Sequence, residues 1–327
     1  MESFKAGKGP TGGSSGRQHR AVATPTDGGF SGELLVVVFV LTIGWAYMRG
    51  WFSDGAGSSR AATRTGSETS LQRWKPKPRE PFKTLQEVEA AIRQQGLESC
   101  SLMVAVDFTK SNEWMGRRSY GNRCLHDTAA PESPNPYQRV ISIIGKTLAH
   151  FDDDGIIPAF GFGDTVTRAT GCFPFYPDRD CVGLEEVLER YTEIAQSIQM
   201  SGPTNFAPAI REAVKRVQKE DNAFHVLLII ADGQVDRERE TAEAIVAASS
   251  HPLAIVCVGV GDGPWDQMHK FDDELPSRRF DNFQFVELNG IEAECTASGL
   301  PLEAQFALAA LMELPAQFKF VKENGML

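Results

Sequence analysis

Three short stretches hold the residues best suited to chemistry. Asp107-Phe108-Thr109-Lys110-Ser111 places one carboxylate and two hydroxyls at alternate positions of a single loop. Asp232-Gly233-Gln234 supplies a second carboxylate, and Ser201-Gly202-Pro203-Thr204-Asn205 brings a third hydroxyl on Thr204. Carboxylates among small hydroxyls suit a hard divalent cation, which takes oxygen ligands in an octahedral array and keeps some of its water. The expected cation is Mg2+, with Mn2+ and Ca2+ as alternatives, and the expected ligands are Asp107, Thr109, Ser111, Thr204 and Asp232. Taken singly, each of these residues has a plainer reading as a turn or helix-cap residue after a strand. Their occurrence in three separate loops at one edge, two after strands and one just before a helix, is what points to a cation.

Other chemistry-bearing residues carry less. Gly259-Val260-Gly261-Asp262-Gly263 follows an apolar run, but its third glycine comes too early for a dinucleotide loop, and it reads as a tight turn. Cys124 and His126 are neighbours in sequence, which is not the spatial geometry of a nucleophile and its base, and they read as part of a surface loop. The acidic runs 152–154 and 272–274 read as solvated loop faces. The six histidines are dispersed, so no transition-metal cluster is expected, and His225 reads as a residue at the edge of the core. The six cysteines include no C-x-x-C pair and read as free thiols of a reducing compartment; Cys172 and Cys181 would be the pair to consider were the domain exported. No catalytic residue is assigned, and the chain is read as non-enzymatic by itself.

The candidate ligands need strands to carry them. Thr84 and Glu87 have the spacing of a capping box, and apolar residues at helical intervals predict a helix over 85–95. Continuous apolar runs at 102–106, 156–162, 224–231, 253–260 and 283–287 predict strands. Amphipathic stretches near 137–150, 184–198, 207–217, 237–249 and 302–314 predict the helices between and after them. Alternation of buried strands with helices is the pattern of an α/β doubly wound, mainly parallel sheet with helices on both faces. Ligands of such sheets bind beyond the carboxyl ends of the strands, where the Asp107 and Asp232 loops fall.

Charge divides the chain. Residues 1–80 hold 11 Lys and Arg against 6 Asp and Glu, and the remainder 22 against 37. The acidic body lacks the clustered basic residues that phosphate neutralisation requires, so nucleic acid is not an expected ligand. Residues 1–32 are rich in Gly, Ser and Thr and read as a disordered tail. Residues 34–48 carry no charge, and counting through Phe52 gives 19 residues, close to the ~20 that span a bilayer. A single transmembrane helix over 33–52 is the reading adopted, against a cleavable export signal or an interfacial segment. Arg49, Arg60 and Arg64 on one flank against Arg17 and Arg20 on the other put the C-terminal domain on the cytoplasmic side. Without insertion, cytoplasm or nucleus is expected. Residues 53–81 end in Lys75-Pro76-Lys77-Pro78-Arg79 and read as an extended polar linker, leaving 82–327 as the folded domain.

The motif set has a family likeness. Asp107-x-Thr109-x-Ser111 with Thr204 and Asp232 resembles the metal-ion-dependent adhesion site of von Willebrand factor A domains. More narrowly, Val106-Asp107-Phe108-Thr109-Lys110-Ser111-Asn112, Asn135-Pro136-Tyr137, Gly161-Phe162-Gly163-Asp164, Gly202-Pro203-Thr204, Ile230-Ala231-Asp232-Gly233-Gln234 and Val258-Gly259-Val260-Gly261-Asp262 resemble the copine subfamily. Glu113-Trp114, Gly263-Pro264-Trp265, Phe271-Asp272-Asp273 and the run 280–285 are similar to the copine domain of plant RING-type ubiquitin ligases. The likeness implies direct coordination by the first loop and Thr204, a water-mediated role for Asp232, and one metal position open to a partner's carboxylate. It implies a protein-interaction domain, with ubiquitination machinery as an alternative association and a secreted adhesion domain as another. Two departures stand out: residues 1–81 are too short and polar for the lipid-binding modules of copines, and no zinc-binding RING module precedes Leu327.

Overall fold

The computed structural model describes residues 83–327 apart from 131, 153, 221 and 222. The tail, membrane-helix and linker readings for 1–32, 33–52 and 53–81 therefore lie outside the described residues. The chain runs through α1 (Leu85–Gln94), β1 (Ser101–Asp107), a 3-10 turn (Lys110–Glu113), α2 (Pro136–Leu148), β2 (Ile156–Ile157), β3 (Ala159–Phe162), β4 (Cys172–Pro174) and β5 (Cys181–Val182). It continues through α3 (Gly183–Ser197), α4 (Ala207–Val217), β6 (His225–Ala231), α5 (Glu238–Ala248), β7 (Leu253–Gly259) and α6 (Asp266–Asp273). β8 (Phe283–Glu287), α7 (Leu288–Ser298), α8 (Leu302–Leu311) and α9 (Leu314–Glu323) complete it.

Six strands form one sheet in the order β4-β3-β1-β6-β7-β8, parallel except for β4, which runs antiparallel to β3 at the edge. β6 and β7 are buried along their whole length, and their branched aliphatic side chains suit a sheet covered on both faces. Alternation along the strands divides the core in two. Leu102, Val104, Val106, Val226, Leu228 and Ile230 pack with side chains of α1, α2, α3, α8 and α9, and Met103, Ala105, Leu227 and Ile229 pack with α4, α5 and α6. Among the described residues no helix is long and apolar enough to cross a membrane.

Several expectations are revised. The run 156–162 is two strands, because Pro158 lacks an N–H for a ladder; β2 pairs antiparallel with β5 in a separate two-stranded sheet while β3 joins the large one. Thr84 Oγ1 accepts the Glu87 N–H at 3.3 Å, but the Glu87 carboxylate reaches back to the N–H of Lys83 rather than of Thr84. The reciprocal capping box of the fold belongs to Asn135 and Gln138 at the start of α2. Asp272 is no solvated loop residue: it lies in α6 on the buried side, where its Oδ2 accepts the Phe285 N–H at 3.2 Å. The helix placed at 302–314 breaks before Leu314, with Pro315 in the first turn of a new helix.

Both ends of the described chain gather at the pole where the parallel strands begin. Leu85 of α1 shares a cavity of about 430 Å3 with Leu102 near the start of β1 and with Gly183 at the start of α3. Lys322 of α9 pairs with Glu98 at 2.7 Å, and Phe318 meets Phe224, just ahead of β6, edge to face at 5.5 Å. At the other pole, the chain leaves β1 for β3 on one side and β6 on the other, so the crevice where the strand order reverses lies between the carboxyl ends of β1 and β6.

Candidate metal centre

Asp107 is the last residue of β1 and Asp232 follows β6, so the two neighbouring strands deliver both carboxylates to that crevice, where both are buried. Asp107 Oδ1 accepts the Thr109 N–H at 2.8 Å, which folds the first loop back over its own strand. Ser111 Oγ donates to Asp232 Oδ1 at 3.0 Å and lies 3.0 Å from Thr109 Oγ1, which is 3.4 Å from Thr204 Oγ1. Thr204 donates to Thr109 and Ser111 to Asp232, so while Asp232 is ionised the three hydroxyls form one chain running toward it. The fold thus brings together all five residues singled out from the sequence.

Backbone contacts hold the two hydroxyl loops against each other. Lys110 N–H donates to Ser201 O at 2.6 Å and Ser201 N–H to Gly163 O at 3.0 Å, while Thr204 N–H donates to Asp236 Oδ2 at 2.7 Å. Gly163 has φ +84°, and a Cβ there would stand 2.4 Å from Thr109 Cγ2. Only glycine lets the loop after β3 close on Thr109.

The electrostatics are unbalanced. Asp107 Oδ2 and Asp232 Oδ2 are buried, and neither finds a hydrogen-bond partner among the described residues. Burial, reinforced by repulsion from Asp232, holds the Asp107 carboxyl well above the usual range. Burial pushes Asp232 up to about 7, against the hydrogen bond from Ser111. Two orphaned carboxylate oxygens beside three hydroxyls are a set that a hard cation satisfies. Among the described residues no group of three or more His, Cys, Asp and Glu side chains is placed to hold a metal, so any cation here depends on the hydroxyls. Thr109, Ser111, Thr204 and Asp232 line a cleft of about 320 Å3; the larger 430 Å3 cavity at the opposite pole touches none of the five residues.

Beneath the loop lies a layer that residue spacing did not reveal. His126, expected on a surface loop, is buried and stacked between the rings of Phe108 and Tyr137, with centroids at 4.7 and 4.1 Å. Its Nε2 lies 2.8 Å from the Asp107 carbonyl oxygen, which can only accept, so that nitrogen carries the proton and Nδ1 accepts from the Tyr191 hydroxyl at 2.8 Å. Burial lowers the imidazole to about 3, keeping it neutral at physiological pH. Asn112 Nδ2 donates to the carbonyls of Asp107 and Thr109 at 3.2 and 3.0 Å, and its Oδ1 accepts the Tyr137 hydroxyl at 2.7 Å. Asn112 and Tyr137 stood within the family-like motifs, which was the available signal; for His126 there was none. His225 is buried at the start of β6, bridging Ala223 O and Glu220, as its place in the sequence suggested. All six cysteines are free thiols.

Comparison with known proteins adds a lineage to this geometry. Residues 124–327 match the copine family model, a span that includes Thr204 and Asp232 and begins after the Asp107 loop. E3 ubiquitin-protein ligase RGLG5 of Arabidopsis thaliana is 47% identical over 287 residues, covering 83% of this chain and 66% of the relative. Copine family protein 2 of Caenorhabditis elegans is 48% identical over 250 residues, covering 75% of this chain and 3% of the relative. The chain spans between 52% and 76% of the length of the Arabidopsis ligases it matches. Among solved structures, the manganese-loaded TRAP protein of Plasmodium vivax shares 14% identity at a TM-score of 0.41, covering 61% of this chain and 72% of that one.

Proposed function

The chain belongs to the copine family and carries a copine-type von Willebrand factor A domain, and from that premise we propose that residues 82–327 bind a divalent cation and, through it, a protein partner. The observation that carries this reading is the pair of buried, unpartnered oxygens on Asp107 and Asp232 beside the linked hydroxyls. Asp107, Thr109, Ser111, Thr204 and Asp232 would hold the cation, with Mg2+ as the leading candidate and Mn2+ and Ca2+ as alternatives. When bound, the cation supplies a positive point with a position left for a partner's carboxylate. The chain's own residues do the rest: the carboxylates set the charge, the hydroxyls add neutral donors, and His126 and Asn112 fix the loop carbonyls from below.

Calorimetry tests the assignment. Mg2+ or Mn2+ should bind the full chain, and Asp107→Ala should abolish binding because neutral hydroxyls with one remaining carboxylate seldom hold a dication against water. Unchanged affinity in that variant would remove the assigned site.

A second reading rests on the Arabidopsis relatives named as E3 ubiquitin-protein ligases, 44% to 50% identical to this chain. We propose that the domain recruits substrates to ubiquitination machinery, so that a pull-down recovers ubiquitin-conjugating enzymes. Residues 34–52 are proposed as a membrane tether that leaves the domain cytoplasmic, on the strength of their uncharged length.

A further inference from the structure

A cavity of about 430 Å3 lies at the pole away from the five oxygens, where α1, the end of α2 and the start of α3 meet. Leu102, Leu148, Ile157 and Leu184 are buried and line it. Gly155 and Gly183 line it beside them, joined by the Gly183 N–H donating to Gly155 O at 2.8 Å, so this stretch is bare backbone. Next to these glycines in the chain, Ile156 and Val182 pair across β2 and β5, and both are exposed. The charged residues of the lining are Glu89, Asp152 and Glu185 against Lys146 and His150, which lies 3.3 Å from Glu89. Carboxylates outnumber cations there whether or not the histidine is charged. Outside the lining, Asp154 offsets Arg93, which donates to His150 O at 3.1 Å.

We propose that residues 73–82 of this same chain, which lie ahead of the described residues, dock on this cavity, with Phe82 filling it and Lys75, Lys77 and Arg79 lying along its carboxylates. The place where the described chain begins argues for this occupant. Leu85 and Gln86 line the cavity, and the Lys83 N–H donates to the Glu87 carboxylate at 2.6 Å, so the residues ahead of Lys83 start at its edge. Three positions separate Phe82 from Leu85, a reach of at most about 10 Å. Covalent attachment then supplies a local concentration on the order of mM, which makes a modest fit sufficient. Charge argues the same way, since the segment holds four Lys and Arg against one Glu, opposite in sign to the lining. Pro76 and Pro78 alternate with the basic residues, and Ile156 and Val182 beside the cavity are apolar ground for their rings to cover.

The test puts a benzoylphenylalanine photocrosslinker at position 78 of the full chain, with phosphatidylcholine vesicles present, and maps the cross-linked peptides by mass spectrometry. The label should fall on residues 145–157 or 183–185 of the same molecule, as a mixture of isotopically light and heavy chains reveals. Gln86→Lys with Glu185→Lys, both at exposed positions of the lining, should cut that yield about threefold or more. Adding Lys75→Glu and Lys77→Glu should restore it to within about twofold, which a merely damaged surface would not allow. Phe82→Ser should also cut the yield about threefold or more, through loss of the buried ring. Label scattered over the surface, label joining two molecules, or a yield that the charge swap fails to restore would overturn the proposal. So would transfer of the label from the cavity to lipid when phosphatidylserine is added to the vesicles, since the basic run would then belong to the membrane surface.

Discussion

A carboxyl group held at about 7 keeps its proton over a range in which the unfolded chain has already released it, so Asp232 opposes folding as pH rises. Between the ordinary value of 3.8 and about 7 the native state binds more protons than the unfolded one, and this contribution to stability falls with pH. Asp232→Asn removes this share of the dependence and leaves that of Asp107, whose carboxyl burial also holds up. In EDTA the substitution should be nearly neutral close to pH 4 and stabilising by on the order of a few kcal/mol above pH 7, as read from urea unfolding. A stability difference that does not vary with pH would mean that Asp232 ionises freely in the native protein. His126 has the opposite sign: its imidazole is held down to about 3, so its contribution is lost as pH falls below 6.5. His126→Phe preserves the stack but leaves the Asp107 carbonyl with Asn112 alone. Cation affinity should drop about tenfold with the fold intact, as second-layer partners of ligands commonly act; unchanged affinity would reduce the imidazole to packing. The five oxygen residues were legible as loop residues, because Asp107, Thr109, Ser111 and Asp232 lie at or after the ends of recognisable strands and Thr204 lies in a turn before a helix. His126 and Tyr191 were not, since what makes them matter is burial against each other across 65 positions of sequence.

At the scale of elements, the long strands and the helices with continuous apolar faces were readable from periodicity, and the departures have physical causes. β4 has only three residues, too few for a pattern, and α7 buries just Leu288 and Cys295, so its helical face leaves no apolar stripe. Pro158 cut an apolar run that looked continuous by hydropathy alone. The loop after β3 showed only as part of the family-like Gly161-Phe162-Gly163-Asp164 motif, yet it decides where Thr109 can sit. Gly163→Ala would force a methyl to 2.4 Å from Thr109 Cγ2 on a backbone of φ +84°. The variant should lose about 1 to 3 kcal/mol of stability and most of its cation affinity. Gly155→Ala, at φ +67° with nothing within 4 Å of the added carbon, is the control: it should show the backbone penalty alone and bind the cation normally. Equal metal affinity in the two variants would show that the Gly163 loop does not position Thr109.

For the whole molecule, location and recognition are assigned to different parts of the chain. A fluorescent fusion of the full chain should sit on membranes and become diffuse when residues 34–52 are deleted, while purified full-length and deleted proteins should bind the cation alike. Membrane location that survives the deletion would remove the tether and leave the metal-site reading untouched. The placement of both described ends bears on how such a protein can be handled and used. α1 and α9 meet beside the start of β1, and the cleft opens beyond its far end. At about 3.3 Å per residue the seven residues of β1 set roughly 20 Å between those poles. Anything fused ahead of Lys83 or behind Leu327 therefore starts from the side facing away from the cleft that holds Thr109, Ser111, Thr204 and Asp232. A sensor surface, an affinity tag or a neighbouring catalytic module joined directly at Lys83 or Leu327 leaves the mouth of the cleft directed outward, free to meet whatever it binds.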